Sequence, residues 1–207
     1  MTVIPSDVNL SNGYGSFTGQ PGDVNPLGES EVDHLHLAQY HLSMNGGIYL
    51  KPGADKIANH SLLATQGNFT NQSNLVIKTS GFDVFGTLSG CGCIEAQSNS
   101  TLEINQADAG NTITLHSSNL YIIDAMEFHA PLKFDSASDI TIESVFATSW
   151  TFSRATGEAD FYHGTTLVSQ LTIAKAPPRL YAMTNGGAVL LQATPSSTNI
   201  LPMGNGH

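Results

Sequence analysis

From Asp33 onward the apolar residues of this chain recur two by two: Leu35/Leu37, Ile48/Leu50, Leu75/Ile77, Phe82/Val84, Leu102/Ile104, Ile113/Leu115, Leu120/Ile122, Met126/Phe128, Leu132/Phe134, Ile140/Ile142, Leu171/Ile173 and Val189/Leu191. A period of two puts both members of a pair on one face of an extended strand, so each pair predicts a short strand with one buried side. Turn-forming residues separate many of them, among them Ser98-Asn99-Ser100, Ala109-Gly110-Asn111, Ser117-Ser118-Asn119 and the run from Asp135 to Asp139. Short strands at this spacing predict an all-β sandwich, barrel or solenoid.

A degenerate repeat selects among these. Ser73-Asn74-Leu75-Val76-Ile77, Ser100-Thr101-Leu102-Glu103-Ile104, Ser118-Asn119-Leu120-Tyr121-Ile122 and Ser138-Asp139-Ile140-Thr141-Ile142 share the form polar-polar-apolar-x-apolar. Their first apolar positions, 75, 102, 120 and 140, lie 27, 18 and 20 residues apart. Spacing of this order is that of successive coils of a parallel β-helix, where equivalent strands stack and bury a continuous apolar column. The predicted fold is therefore a parallel β-helix core over residues 33–176, with a β-sandwich or jelly roll as the alternative.

The two ends depart from the pattern. Residues 1–32 are dense in Gly and Pro, which break regular structure, and predict an extended arm; its apolar residues Ile4, Tyr14 and Phe17 are expected to pack on a neighbouring subunit. Pro177-Pro178 interrupts the strand pattern, and residues 177–194 predict a terminal hairpin or cap around Asn185-Gly186-Gly187. The Ser/Asn/Gly/Pro-rich stretch 195–207 reads as a tail.

Composition narrows the partners. Seven Lys+Arg against seventeen Asp+Glu give a net charge of −10, which disfavours nucleic acid and anionic membrane as partners because both repel an acidic surface. Charged residues make up only 12% of the chain, so its polar surface is mostly Ser, Thr, Asn and Gly, suited to lateral packing or to glycan contact. Cys91 and Cys93 flank Gly92 and form neither a long-loop disulfide framework nor a complete zinc site. The residues from Met1 to Asp7 show no secretory leader pattern, and no apolar run reaches the ~20 residues a membrane helix needs.

Three constellations carry candidate chemistry. His34 and His36 share one face of a predicted strand, and with His41 they are candidate metal ligands. With Gly28 before them they resemble the first cupin motif, Gly-x5-His-x-His-x4-Glu, except that His41 stands in place of the Glu and no second motif follows. The expectation is accordingly no metal and no other cofactor, the histidines facing solvent or an interface. Trp150, Phe161 and Tyr162 beside Arg154 have the composition of a binding hot spot or a sugar-stacking platform, against the alternative that Trp150 and Phe152 simply face the core. Asp124, Glu127, Asp135, Asp139 and Glu143, with Lys133 or Arg154 as cation, would serve a polysaccharide-degrading β-helix enzyme if their coils stacked them. Turn formation is the simpler role for most of these acids, and neither a serine-nucleophile elbow nor a phosphate loop is present.

With its repeat over 73–142 and arms at 1–32 and 195–207, the chain resembles the small β-rich structural proteins of tailed bacteriophages, the capsid decoration (cement) proteins and trimeric spike segments. That resemblance implies a non-enzymatic assembly protein at the virion surface, a homo-oligomer and often a trimer, whose arms latch neighbouring subunits, the major capsid protein or another virion component. A glycan-binding spike or adhesin, secreted or at a cell surface, is the second expectation, and the polysaccharide-degrading enzyme the third.

Overall fold

The computed structural model describes residues 7–17, 29–196 and 199–204, with side chains from Ser30 onward. The chain winds as a β-solenoid of about six turns. Its coils are built in order from β1 (Asp7–Phe17) and β2 (Glu29–Val32); β3 (His34–Met44) and β4 (Gly47–Leu50); β5 (Ala54–Ala58), β6 (Leu62–Thr65) and β7 (Phe69–Asn71); β8 (Asn74–Lys78) and β9 (Gly81–Gly90); β10 (Cys93–Gln97) and β11 (Thr101–Ala107); and β12 (Thr112–His116) and β13 (Asn119–Ile122). The last, partial coil holds β14 (Leu132–Phe134) and β15 (Asp139–Ile142).

Parallel pairing between coils defines three sides. The first runs from the front half of β1 through the front half of β3, then β5, β8, β10, β12 and β14. The second takes the rear halves of β1 and β3, then β6, the front of β9, the front of β11, β13 and β15. A shorter third side stacks β2, β4, β7 and the rear of β9 on the rear of β11. Long strands such as β3 bend around a corner and so serve two sides: His36–Ala38 pair with β5, and His41–Met44 pair with β6.

Alternation within each strand sends one residue in two into the core, and stacking aligns these into columns. Leu37, Ile57, Ile77, Ala96, Leu115 and Phe134 form one column on the first side; Leu63, Phe82, Leu102, Leu120 and Ile140 form one on the second, all buried. Each large aliphatic side chain so buried contributes about 1.5–3 kcal/mol of hydrophobic stabilisation. The repeat is read differently by the structure at its first member. Leu102, Leu120 and Ile140 do stack on the second side, but the member beneath Leu102 is Phe82, whereas Leu75 lies on the first side beneath Ile94. The 27-residue step is thus one coil plus one side of the prism.

The corner between the first two sides repeats with the coil. Gln39, His60, Thr79, Asn99 and Ser117 have φ of 54, 62, 51, 63 and 50°. A left-handed residue at this point reverses the chain sharply enough to send the next strand along a new side, at a cost of about 1–2 kcal/mol for a residue with a Cβ. The residue after four of them is a buried serine, Ser61, Ser80, Ser100 or Ser118. At the corner after β9, Gly90 (φ +99°) lies so close to the main-chain carbonyl of Asn71 that a Cβ would overlap it.

The C-terminal region closes the solenoid. A meander of β16 (Ser149–Phe152), β17 (Glu158–His163) and β18 (Thr166–Lys175) is antiparallel within itself, and β18 joins β14. A hairpin of β19 (Tyr181–Asn185) and β20 (Ala188–Gln192), turning at Asn185-Gly186-Gly187, lays β20 antiparallel on β15. β18 extends the first side in parallel while β20 ends the second with an antiparallel strand, and one continuous core runs from Val32 to Leu201.

Both predicted arms need correction. Residues 7–17 form β1, paired with β3 from Asp7↔His34 to Phe17↔Met44, and 29–32 form β2 on β4, so these parts of the arm are the first coil. Main-chain bonding to the next coil fixes them despite their glycines. The remaining arm residues, Ile4 included, lie outside the described residues. Within the predicted tail, Thr184 N–H donates to Asn199 O (3.1 Å), Leu201 N–H to Ala182 O (2.8 Å) and Gly204 N–H to Trp150 O (2.8 Å), so the segment 199–204 is packed along the cap.

Candidate functional site

Two adjacent sides differ in charge: the first gathers most of the lysines, together with Glu95 and Asp135, and the second carries carboxylates without lysine. Lys56, Lys78, Lys133 and Lys175, four of the chain's five lysines, all stand exposed on the first side or its continuation in β18. None makes an ion pair among the described residues. The fifth, Lys51, is held at the third side by Asp33 (2.8 Å) and Glu31 (3.1 Å), whose hydrogen bonds raise its pKa above the ordinary lysine value. The first side also holds His116, midway between Glu95 and Asp135 at 3.7 Å from each. Burial pushes the Asp135 carboxyl up, but hydrogen bonds from the Ser138 hydroxyl and the Ser117 and Ala137 N–H groups, with His116 nearby, outweigh it and hold the carboxyl below its usual range.

The second side is flat and acidic. Ala64, Asp83, Glu103, Tyr121 and Thr141 are register partners in successive coils, all outward and all half-buried by their neighbours. Its strands contain no Lys or Arg from β6 to β15. Burial, and then the Glu103 charge one coil on, push Asp83 up to about 6. An uncompensated pair of carboxylates on a flat surface favours a cation from outside the chain.

The histidines do not form one site. His34 and His36 are exposed on the first side, while the corner at Gln39 sends His41, also exposed, onto the second. Among the described residues no group of three His, Cys, Asp or Glu is placed to hold a metal ion. Cys91 and Cys93 are free and exposed, and the Cys91 thiol donates to Gln72 Oε1 at 2.7 Å.

The aromatic platform is also corrected. Trp150 (2% exposed) and Phe161 (0%) are core residues of the cap, their rings stacked at 6.2 Å, with Phe152 stacked on Trp150 at 6.4 Å. Their register partnership across β16 and β17 aims both inward. Arg154 lies over the Phe152 ring at 5.6 Å and donates to the carbonyls of Pro177 (3.1 Å) and Pro178 (2.7 Å), so it pins a loop. Only Tyr162 of the four faces a cleft. Tyr14 and Phe17 sit opposite His41 and Met44 in the β1–β3 register.

The five acids proposed for catalysis are dispersed. Asp135 follows a first-side strand, Asp139 begins a second-side strand, Glu143 follows that one, and Asp124 precedes a short helical turn that Glu127 ends, Asp124 accepting from Gln106 at 3.1 Å. What sequence reasoning missed is Glu158 and Asp160, which share the outer face of β17 with Tyr162. Glu158, Asp160 and Tyr162 alternate there with buried Ala159 and Phe161, a period-two signal that was legible. They line a cleft of about 760 Å³ over β16 and β17, walled on one side by Met203 and Gly204.

The fold and surface define a capped β-solenoid with its lysines gathered on one side and an acidic side next to it. No protein-family model, no curated protein and no solved structure matches this chain.

Proposed function

We propose that this β-solenoid is a structural assembly protein whose copies pack side by side, the lysine-bearing first side of one against the acidic second side of the next. The observation that carries this reading is the distribution of charge: among the described residues, four lysines without an ion pair stand on one side, where they outnumber Glu95 and Asp135, and Asp83 and Glu103 stand without a cation on the adjacent one. In a chain of net charge −10, scattered lysines would be expected to find carboxylates on their own surface. Two different surfaces meeting make a heterologous contact, which closes into a ring when the rotation between copies allows. The homotrimer and the virion-surface setting that the phage resemblance implies both fit such a contact.

Sedimentation or light scattering tests it. Surface ion pairs are screened within about 10 Å at 0.1 M salt, and more strongly above it. The expected mass is a multiple of 21.9 kDa at low ionic strength, falling toward 21.9 kDa in high salt. A 21.9 kDa monomer at every salt concentration overturns the proposal.

A further inference from the structure

The cleft over β16 and β17 belongs to neither charged side of the solenoid. Its floor is the outer face of the cap: Ser149 stands opposite Tyr162, and Thr151 opposite Asp160. Asp160 is the centre of an ordered polar network, accepting from Gln170 Nε2 at 2.7 Å and from the Tyr162 hydroxyl at 3.4 Å. Glu158 closes one end and accepts from the Thr156 hydroxyl at 2.9 Å. The half-buried edge of Phe152 and the exposed Met203 supply apolar contact at the rim.

We propose that this cleft binds an uncharged oligosaccharide. Three features select that chemistry. Among the described residues the titratable groups lining the cleft are Glu158, Asp160 and Tyr162 and no Lys or Arg lines it, so at neutral pH an anionic ligand meets repulsion. The lining sets hydroxyls, carboxylates and a phenol beside the apolar surface of Phe152 and Met203, a bed matched to a sugar, whose hydroxyls and ring C–H faces use both. A carboxylate held by Gln170 and Tyr162 keeps free lone pairs, which accept from sugar hydroxyls in charge-assisted bonds, while the Ser, Thr and Tyr hydroxyls both give and take. The volume of about 760 Å³ lies within the usual range of small-ligand sites and accommodates more than a single ring.

The network also explains why the site is preorganised. Asp160 and Gln170 are register partners on β17 and β18, and their hydrogen bond fixes the carboxylate without a ligand. Little side-chain entropy is then lost on binding.

Saturation-transfer NMR of the full chain, titrated with short neutral gluco-, galacto- and manno-oligosaccharides and with a sulfated oligosaccharide of equal length, tests the proposal. Saturation is expected with at least one neutral series and not with the sulfated one. Asp160→Asn, which keeps the Gln170 contact but loses the charge, is expected to weaken binding about tenfold or more, and Tyr162→Phe about fivefold. Glu95→Gln, on the first side, is expected to leave affinity unchanged and controls for general effects. Absence of saturation with every neutral series, preference for the sulfated ligand, or equal affinity in wild type and Asp160→Asn overturns it. The solution mass of the protein is not part of this test, so failure here leaves the assembly proposal standing.

Discussion

The Ser61 main-chain N–H donates to the hydroxyl of Ser80, one coil further along, at 3.2 Å, and the Ser80 N–H donates in turn to the hydroxyl of Ser100 at 3.3 Å. Ser118 and Ser138 repeat the bond at 3.1 Å. At these corners, as at Tyr40, whose N–H donates to the Ser61 hydroxyl at 3.1 Å, the serine of the next coil satisfies the main-chain donor that follows the left-handed residue. Ser100 is fully buried and its own hydroxyl donates to Gln97 O at 2.7 Å. Ser100→Ala leaves the buried Ser80 N–H without its acceptor and is expected to cost about 1–3 kcal/mol. Urea denaturation of the variant measures this; an unchanged midpoint would show that the ladder carries no stability.

Asp83 gives the fold a pH dependence of unusual sign for a carboxylate. Its pKa rises from 3.8 to about 6 on folding, so between those values the native state holds the proton more tightly than the unfolded one. The groups around it are Glu103 in the next coil, Tyr121 beyond it and Ala64 in the coil before, none of them cationic. Its stabilising contribution is complete below pH 4, declines as pH rises to about 6 and is absent above. Asp83→Asn is expected to match wild type below pH 4 and to exceed it at pH 7 by on the order of 1 kcal/mol, after allowance for the solvent that reaches this half-buried group. Denaturation midpoints at both pH values, taken on dissociated protein, decide it. A variant less stable than wild type at pH 7 contradicts the assignment.

Trp150 reports on the cap. It is the single tryptophan, buried between Phe152 and Phe161, so intrinsic fluorescence follows the meander alone. Emission of the folded protein is expected to be blue-shifted, and Phe161→Ala to cost about 3–5 kcal/mol with a red shift in emission. Red-shifted emission from the wild type would place Trp150 in solvent and undo the cap's packing.

Strands and coil length were legible because the signal is local: period-two pairs such as Leu102/Ile104 and Leu120/Ile122 need one neighbour each. Side assignment was not. Leu75 and Leu102 carry the same polar-polar-apolar-x-apolar form, and only the corner geometry at Thr79 reveals that they belong to different sides. The first coil was hidden for a related reason, since β1 is held by its pairing with β3 rather than by strand-forming composition. Burial of Trp150 and Phe161 follows from an antiparallel partnership that composition does not specify. The gathering of lysines was invisible for the same cause: Lys56, Lys78 and Lys133 are far apart in sequence and share a side only once coils of 18 to 21 residues are stacked, as Leu102↔Leu120 and Leu42↔Leu63 show.

Complementary charge reversal bears most directly on side-by-side assembly. One variant carries Lys56→Glu with Lys78→Glu, the other Asp83→Lys with Glu103→Lys, and sedimentation velocity is measured for each alone and for an equimolar mixture at low salt. Each variant by itself presents two sides of like charge and is expected to sediment as a monomer, while the mixture restores the opposite-charge contacts wherever the two variants alternate and is expected to assemble into species of even copy number. Assembly by either variant alone, or a mixture that stays monomeric while the wild type assembles, contradicts the account.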